Sequence, residues 1–434
     1  MEIKPFKAFR FDGAVVSDVG SCIAPPYDVI NPAHQKRLYE KSEYNIVRIT
    51  KGIADPADNE ISNRYTRAAE LFRKWISQGV LKQDSRDAIY AYVQDFQIGG
   101  ADFQRFSFIS LGKLEEFGAA VRPHEQILSG PLADRLNLLR AAQAHFGLVF
   151  MLYEDPKNVA DKAIQKAACG ASLIDFLDDD NVRHRIFAIT EKTGVTAIAK
   201  MMEKKNCVIA DGHHRYTTGL IYAKENPAAK YQMLAFCNTR HDGLVVLATH
   251  RIVGGINNFK PENLLGGLKA NFTLTEYPFE NELSKKTARI KMLDQMKAEH
   301  RKDKIAFGIY IGGGAFYVAV PRDLIAMDSV AGNMSKPWRS LDVAVVHKLI
   351  IEKLLGIGDE QLAGGQNVEY VKDNNNAIKD IIAKIDSGCK QAAFFLNPPR
   401  IKQIQEVAEH GERMPQKSTY FYPKVFTGLT IQKL

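Results

Sequence analysis

The hexapeptide Asp211-Gly212-His213-His214-Arg215-Tyr216 holds the densest chemistry of this 434-residue chain. It follows an apolar run, Cys207 to Ala210, that reads as a short buried strand. After it, Tyr216, Leu220 and Ala223 recur at helical spacing. At such a strand-to-helix junction the first backbone N–H groups of the helix have no internal partner, and the helix dipole turns its positive end outward. Gly212 removes the side chain that would block close approach, while His213, His214 and Arg215 add donors and positive charge. The corner is suited to a phosphate. As surface decoration the same residues would be costly, because their like charges meet the positive end of the dipole.

Three further groups could do chemistry. Glu125, in Pro123-His124-Glu125, follows a proline-fixed turn and could act as a general base, or be an ordinary solvated loop carboxylate. Asp134-Arg135 could touch a ligand or form a structural ion pair, since Asp suits a first helical turn. Lys417-Ser418-Thr419 lies in a proline-bounded loop that could close over an anion, or be a plain C-terminal loop. Metal chemistry has less support. Adjacent side chains on a helix point about 100° apart, so His213 and His214 cannot chelate one ion together. No H-E-x-x-H, Walker loop or G-x-S-x-G is present. His347, inside an apolar helix, reads as a packed core histidine.

The elements that must position these groups alternate without strict βαβ regularity. The pattern predicts a helix over 58–78 closed by Gly79, and a hairpin from strands at 88–96 and 103–111 around Gly99-Gly100. A helix over 132–144 and strands at 147–153 and 185–189 follow, then a helix ending near Lys205. Beyond the corner come strands at 231–237 and 244–250, and a basic surface helix over 285–304 with Ile290, Leu293 and Met296 inward. A hairpin of 305–311 and 315–320 turns at Gly312-Gly313-Gly314. A helix over 341–355 and a strand at 392–396 complete the pattern. The expected fold class is α/β in the mixed α+β sense, with a mixed sheet. Residues 1–84 form an N-terminal α/β segment, 85–255 a core and 256–434 a C-terminal α/β domain.

Composition excludes several classes. Hydrophobic content of 45% and charged content of 25% are those of a globular chain. The net charge of +8 is spread out, with no arginine-rich tail or aromatic-interleaved basic stripe, so no nucleic-acid partner is expected. Five cysteines, never spaced C-x-x-C, argue against a disulfide framework or structural zinc and fit a reducing cytoplasm. No secretory signal and no apolar stretch long enough for a bilayer is seen, so a soluble cytoplasmic protein without a membrane partner is expected. Whether it forms a homo-oligomer stays open.

The Pro25-Pro26-Tyr27-Asp28 start, the Pro123-His124-Glu125 block, Asp134-Arg135-Leu136-Asn137-Leu138-Leu139, the Asp211 to Tyr216 block and the Lys417 to Lys424 end together resemble domain-of-unknown-function family 1015, over nearly the whole length. About residues 110 to 250 resemble the ParB/sulfiredoxin-like superfamily, and the Asp-Gly-His-His-Arg wording is similar to that of free serine kinases. The resemblance implies that nucleotide phosphates rest on Gly212, His213, His214 and Arg215, and that Glu125 is catalytic. Sulfiredoxin's reactive cysteine would fall at His213, and Cys207 is expected to be buried, which speaks against that chemistry. The implied reaction is phosphoryl transfer from ATP or ADP with Mg²⁺ to a small hydroxyl metabolite such as free serine. Asp211 would hold Mg²⁺ or orient an imidazole, with no dedicated metal site. His124, Asp134, Arg135, Lys417, Ser418 and Thr419 would contact substrate or close the pocket. A nucleotide-binding regulator that hydrolyses slowly or not at all, and a metal-dependent phosphohydrolase, are the alternatives.

Overall fold

In the computed structural model, which describes residues 1–118, 120–125, 129–358, 361–362, 367–374 and 376–434, the positive φ of Gly99 (59°) and Gly100 (83°) turns one long strand back on another. The chain forms two units. The first takes Met1–Pro123, the stretch from residue 129 to Val245, and Pro423–Leu434; the second takes His124, Glu125 and Val246–Tyr422.

The first unit is built on a nine-stranded mixed sheet. Its strands are β1 (Ile3–Lys4), β2 (Ile89–Ile98), β3 (Ala101–Lys113), β4 (Val121–Pro123), β5 (Val149–Tyr153), β6 (Ile174–Leu177), β7 (Arg183–Ile189), β8 (Cys207–Asp211) and β9 (Tyr231–Asn238). They lie in the order β4-β8-β5-β9-β3-β2-β7-β6, with β1 on β3. Two neighbours are parallel, β4 with β8 and β5 with β9; the other pairs are antiparallel. Five helices of this unit matter for the site: α1 (Arg64–Ser77), α2 (Ser129–Ala142), α3 (Val159–Ala168), α4 (Lys192–Met202) and α5 (His213–Glu225). Ala160, Ile164, Ile198 and Met202 of α3 and α4 share a core with Ile89, Phe108, Met151, Ile209 and Phe236. Helix α2 packs against α1 and α5, with Leu139 and Tyr222 in a smaller apolar cluster.

The second unit carries an all-antiparallel six-stranded sheet. Its strands are β10 (Thr249–Val253), β11 (Phe272–Pro278), β12 (Phe307–Tyr310), β13 (Ala315–Pro321), β14 (Val368–Lys372) and β15 (Ala392–Phe395), in the order β11-β13-β12-β15-β10-β14. Gly312, Gly313 and Gly314 all have positive φ and make the β12–β13 turn. Among the described residues no helix is long and apolar enough to cross a membrane.

Three elements differ from the sequence pattern. Helix α1 starts at Arg64, not residue 58, because Asn63 and Thr66 form a reciprocal capping box that fixes the start. The basic helix is α6 (Glu282–Arg301), and it buries Ala288, Met292 and Met296 while Ile290 is 46% exposed. The reason is β12: a Cβ on Gly308 would lie 2.7 Å from Met292 Sδ and 2.8 Å from Met296 Sδ, so this glycine admits the two thioethers. The helix expected over 341–355 is α-helical only at Asp342–Val345 and continues as a π-helical segment, Val346–Glu352, in which His347 is buried.

Candidate functional site

Strand β8 ends in a register shift between Ile209 and Asp211, and Gly212 then takes φ 94° as the N-cap of α5. That φ favours glycine, and a Cβ there would fall 3.0 Å from Arg215 Nε and Nη2. The guanidinium thus takes the space that a side chain at 212 would need. Arg215 Nη2 donates to Asp211 Oδ2 at 3.1 Å, and Lys424 Nζ donates to Asp211 Oδ1 at 3.2 Å. Lys424, Arg215 and His213 hold the Asp211 carboxyl far below its usual range against the opposing effect of burial, with Lys424 the largest of the three. Arg215 Nε is buried and has no hydrogen-bond partner. His213 is buried, and the His214 carbonyl accepts from Thr218 Oγ1 at 2.7 Å. Tyr216 anchors the first turn: its hydroxyl donates to Glu115 O at 2.9 Å and accepts from Glu115 N at 3.0 Å.

Arg215 also borders a cavity of about 60 Å³, whose wall includes Tyr27, Arg135, His145, Gly147 and Gln232. Arg135 and Arg215 are therefore brought to one cavity. Arg135 stacks over the Tyr27 ring, 4.0 Å from its centroid, and its Nε donates to Asp134 Oδ2 at 2.9 Å. Asp134 Oδ1 also accepts from Arg64 Nη2 at 2.7 Å and from the Tyr65 hydroxyl at 2.9 Å. Asp134 is thus the hub of an ion network whose arginines border cavities. Burial pushes His145 down to about 4, so its imidazole is neutral and Nδ1 accepts from Gln232 Nε2 at 3.0 Å.

His124, Glu125 and the Lys417–Thr419 loop belong to the second unit. His124 is buried; its Nε2 pairs with Thr419 Oγ1 at 2.9 Å and its carbonyl accepts from Met414 N at 2.9 Å. Glu125 beside it is half-buried. The Lys417–Thr419 loop is held from inside: buried Arg251 donates to the carbonyls of Gln416 (3.1 Å) and Lys417 (3.2 Å), and Ser418 Oγ donates to Pro415 O. Cys207 is fully buried, and burial pushes its thiol up to about 12. Among the described residues no group of three His, Cys, Asp or Glu side chains could hold a metal.

Sequence reasoning did not single out Lys424, Gln232, His145, Lys51 or Arg64. Only Lys424 had a signal, as the last residue of the Lys417 to Lys424 block.

Residues 3–344 match the family described as "Protein of unknown function (DUF1015)". The chain belongs to this family. No curated protein matches it. Several solved structures match it at low similarity. A free serine kinase in complex with AMP is 14% identical with a TM-score of 0.34, over 69% of this chain and 83% of that one. A conserved hypothetical protein from Pyrococcus furiosus is 15% identical with a TM-score of 0.33, over 72% and 91%. SbnI with a C-terminal truncation, from Staphylococcus aureus, is 11% identical with a TM-score of 0.33, over 73% and 84%.

Proposed function

We propose that this member of the DUF1015 family is a cytoplasmic phosphotransferase with a ParB/sulfiredoxin-like core, moving a phosphoryl group from ATP or ADP to the hydroxyl of a small metabolite, with free serine as the first candidate. The observation that carries this reading is the corner itself. A thirteen-residue helix starts at a positive-φ glycine, and a half-buried arginine beside it has a buried N–H without a partner. The positive end of the helix and the Gly212 backbone seat the phosphates, and Arg215 and Lys424 neutralise them. Phosphoryl transfer asks mostly for positioning and charge neutralisation, which such a seat supplies.

Asp211 acts as the orienting group. Both of its oxygens are engaged, one by Arg215 and one by Lys424, so a metal bound there would displace a cation. Mg²⁺ therefore enters as the nucleotide complex, and no resident metal is assigned.

Glu125 is the general base in this reading. The test is to incubate the protein with ATP or ADP, Mg²⁺ and a pool of hydroxyl metabolites, and to follow phosphorus NMR. A new phosphomonoester supports the reading. Tight nucleotide binding with no transfer to any acceptor would instead make the protein a nucleotide-binding regulator.

A further inference from the structure

Next to the 60 Å³ cavity at Arg215 lies a second of about 260 Å³, and Tyr27, Thr50, Arg135 and Leu138 line both. The charges around them are unequal. Lys51, Arg64 and Arg135 border the larger cavity and Arg215 the smaller, whereas among the described residues Asp134 is the one carboxylate in either lining. Asp134 is already committed: Arg64, Arg135 and the Tyr65 hydroxyl all donate to it. Lys51 Nζ donates to two backbone carbonyls, those of Tyr27 and Ile30, rather than to a carboxylate. Outside the lining, Asp28 acts on Lys51, Asp58 acts on Arg64 but is itself paired with Arg67, and Asp211 acts on Arg215 but is itself shared with Lys424. Even with these included, cations exceed carboxylates by two. His145 is neutral and does not alter the count.

The charge balance defines the occupant: it must offer an oxyanion to the cations that line the cavities, and the phosphoryl-transfer reading requires a hydroxyl on the same molecule. An ammonium group fits poorly. Among the described residues no uncommitted carboxylate lines either cavity to receive it, and it would sit among four cations.

We propose that the paired cavities select a hydroxycarboxylate that carries no ammonium group, in preference to a zwitterionic amino acid. The proposal rests on the phosphoryl-transfer reading for the role of that ligand as acceptor, and it replaces free serine as the favoured acceptor class.

The experiment is calorimetric titration of the full chain, with and without ADP, using glycerate, serine and glycerol, which share a hydroxyl and differ in charge. Glycerate should bind at least tenfold tighter than serine, and glycerol should not bind measurably. Arg64→Met, at a partly exposed position, should lower glycerate affinity about tenfold while ADP affinity stays at the wild-type value. Serine binding as tightly as glycerate overturns the proposal and leaves phosphoryl transfer standing. ADP competing with glycerate, together with weakened ADP binding by Arg64→Met, also overturns it, because the cavity would then hold nucleotide phosphate. Glycerate binding with the stated preference but accepting no phosphoryl group upholds the selectivity and refutes the transfer reading.

Discussion

Lys424 Nζ lies 3.2 Å from Asp211 Oδ1 although 213 residues separate the two in the chain. The C-terminal segment that carries Lys424 belongs to the first unit, where the Lys424 carbonyl also accepts from Gln94 Nε2 at 3.0 Å and the Pro423 carbonyl from buried Arg105. The Asp211–Arg215 corner is thus completed by a residue more than two hundred positions away in sequence.

Replacing Lys424 with methionine leaves Asp211 with Arg215 as its principal cation. The loss should be about 1–2 kcal/mol at pH 7, below the figure for a fully buried pair because Arg215 remains. Asp211 has a folded-state pKa depressed below its unfolded value, so its contribution is fully present above the unfolded pKa and fades as pH falls toward the folded one. Denaturant unfolding from pH 7 down to about pH 2 checks this: the gap between wild type and Lys424→Met should hold through the mildly acidic range and narrow only below about pH 3, once Asp211 of the variant begins to protonate. A gap that stays constant would mean that the variant loses packing and not charge pairing.

At the corner, Arg215→Ala should weaken ADP binding roughly tenfold to hundredfold, the value of one or two charge-assisted hydrogen bonds. Gly212→Ala should do so by a different route. Its backbone is in the left-handed region and its Cβ would press on the guanidinium, so a strain of about 1–2 kcal/mol should accompany the affinity loss. Calorimetric titration with ADP and a denaturant series separate the two. Unchanged ADP binding in Arg215→Ala removes the residue from the site.

Much of this corner can be read from sequence, because it is local. Strand, glycine and helix start are contiguous, and Cys207–Asp211 and His213–Glu225 form where the apolar pattern places them. Hairpins turned by Gly99-Gly100 and by Gly312 to Gly314 are legible for the same reason. The cavity walls are not. Tyr27, Lys51, Arg64 and Gln232 come from four separate segments, and no periodicity links a charge to a partner that distant. The inward face of α6 is legible only in part for a related reason: Met296 and Leu293 pack inward as their spacing suggests, but Gly308 on a strand distant in sequence admits Met292 as well and Ile290 is left outward.

Glu125→Gln keeps shape and removes a proton acceptor. If Glu125 is the base, turnover should fall by roughly 10²- to 10⁴-fold while ADP affinity is retained. Phosphomonoester formation and ADP titration on the same preparation check this. Parallel loss of both would mark Glu125 as a structural residue of the second unit.

The five cysteines should divide sharply by accessibility. Cys169 and Cys389 are exposed, whereas Cys22, Cys207 and Cys237 are buried, and burial pushes both Cys207 and Cys237 up to about 12. Iodoacetamide at pH 7.5 should label Cys169 and Cys389 in the folded protein and the other three only in denaturant, as read by peptide mass spectrometry. Rapid labelling of Cys207 in the folded state would reopen thiol chemistry beside the phosphate corner.

His145 provides the acid-side test of the cavity. Its folded pKa is lowered to about 4 by burial, whereas the unfolded imidazole titrates near 6.5. Between those values the unfolded chain binds a proton that the folded chain refuses, so stability falls as pH drops from 6.5 toward 4, by about 3 kcal/mol in total. His145→Asn cannot titrate in this window while keeping an amide near Gln232, and should lose that portion of the slope. Chemical unfolding of both proteins at half-unit steps from pH 7 to 4 measures the difference. If the slopes coincide, His145 is reached by water and protonates in place, and the neutral cavity wall assigned to it beside Gln232 would have to carry a charge below pH 6.5.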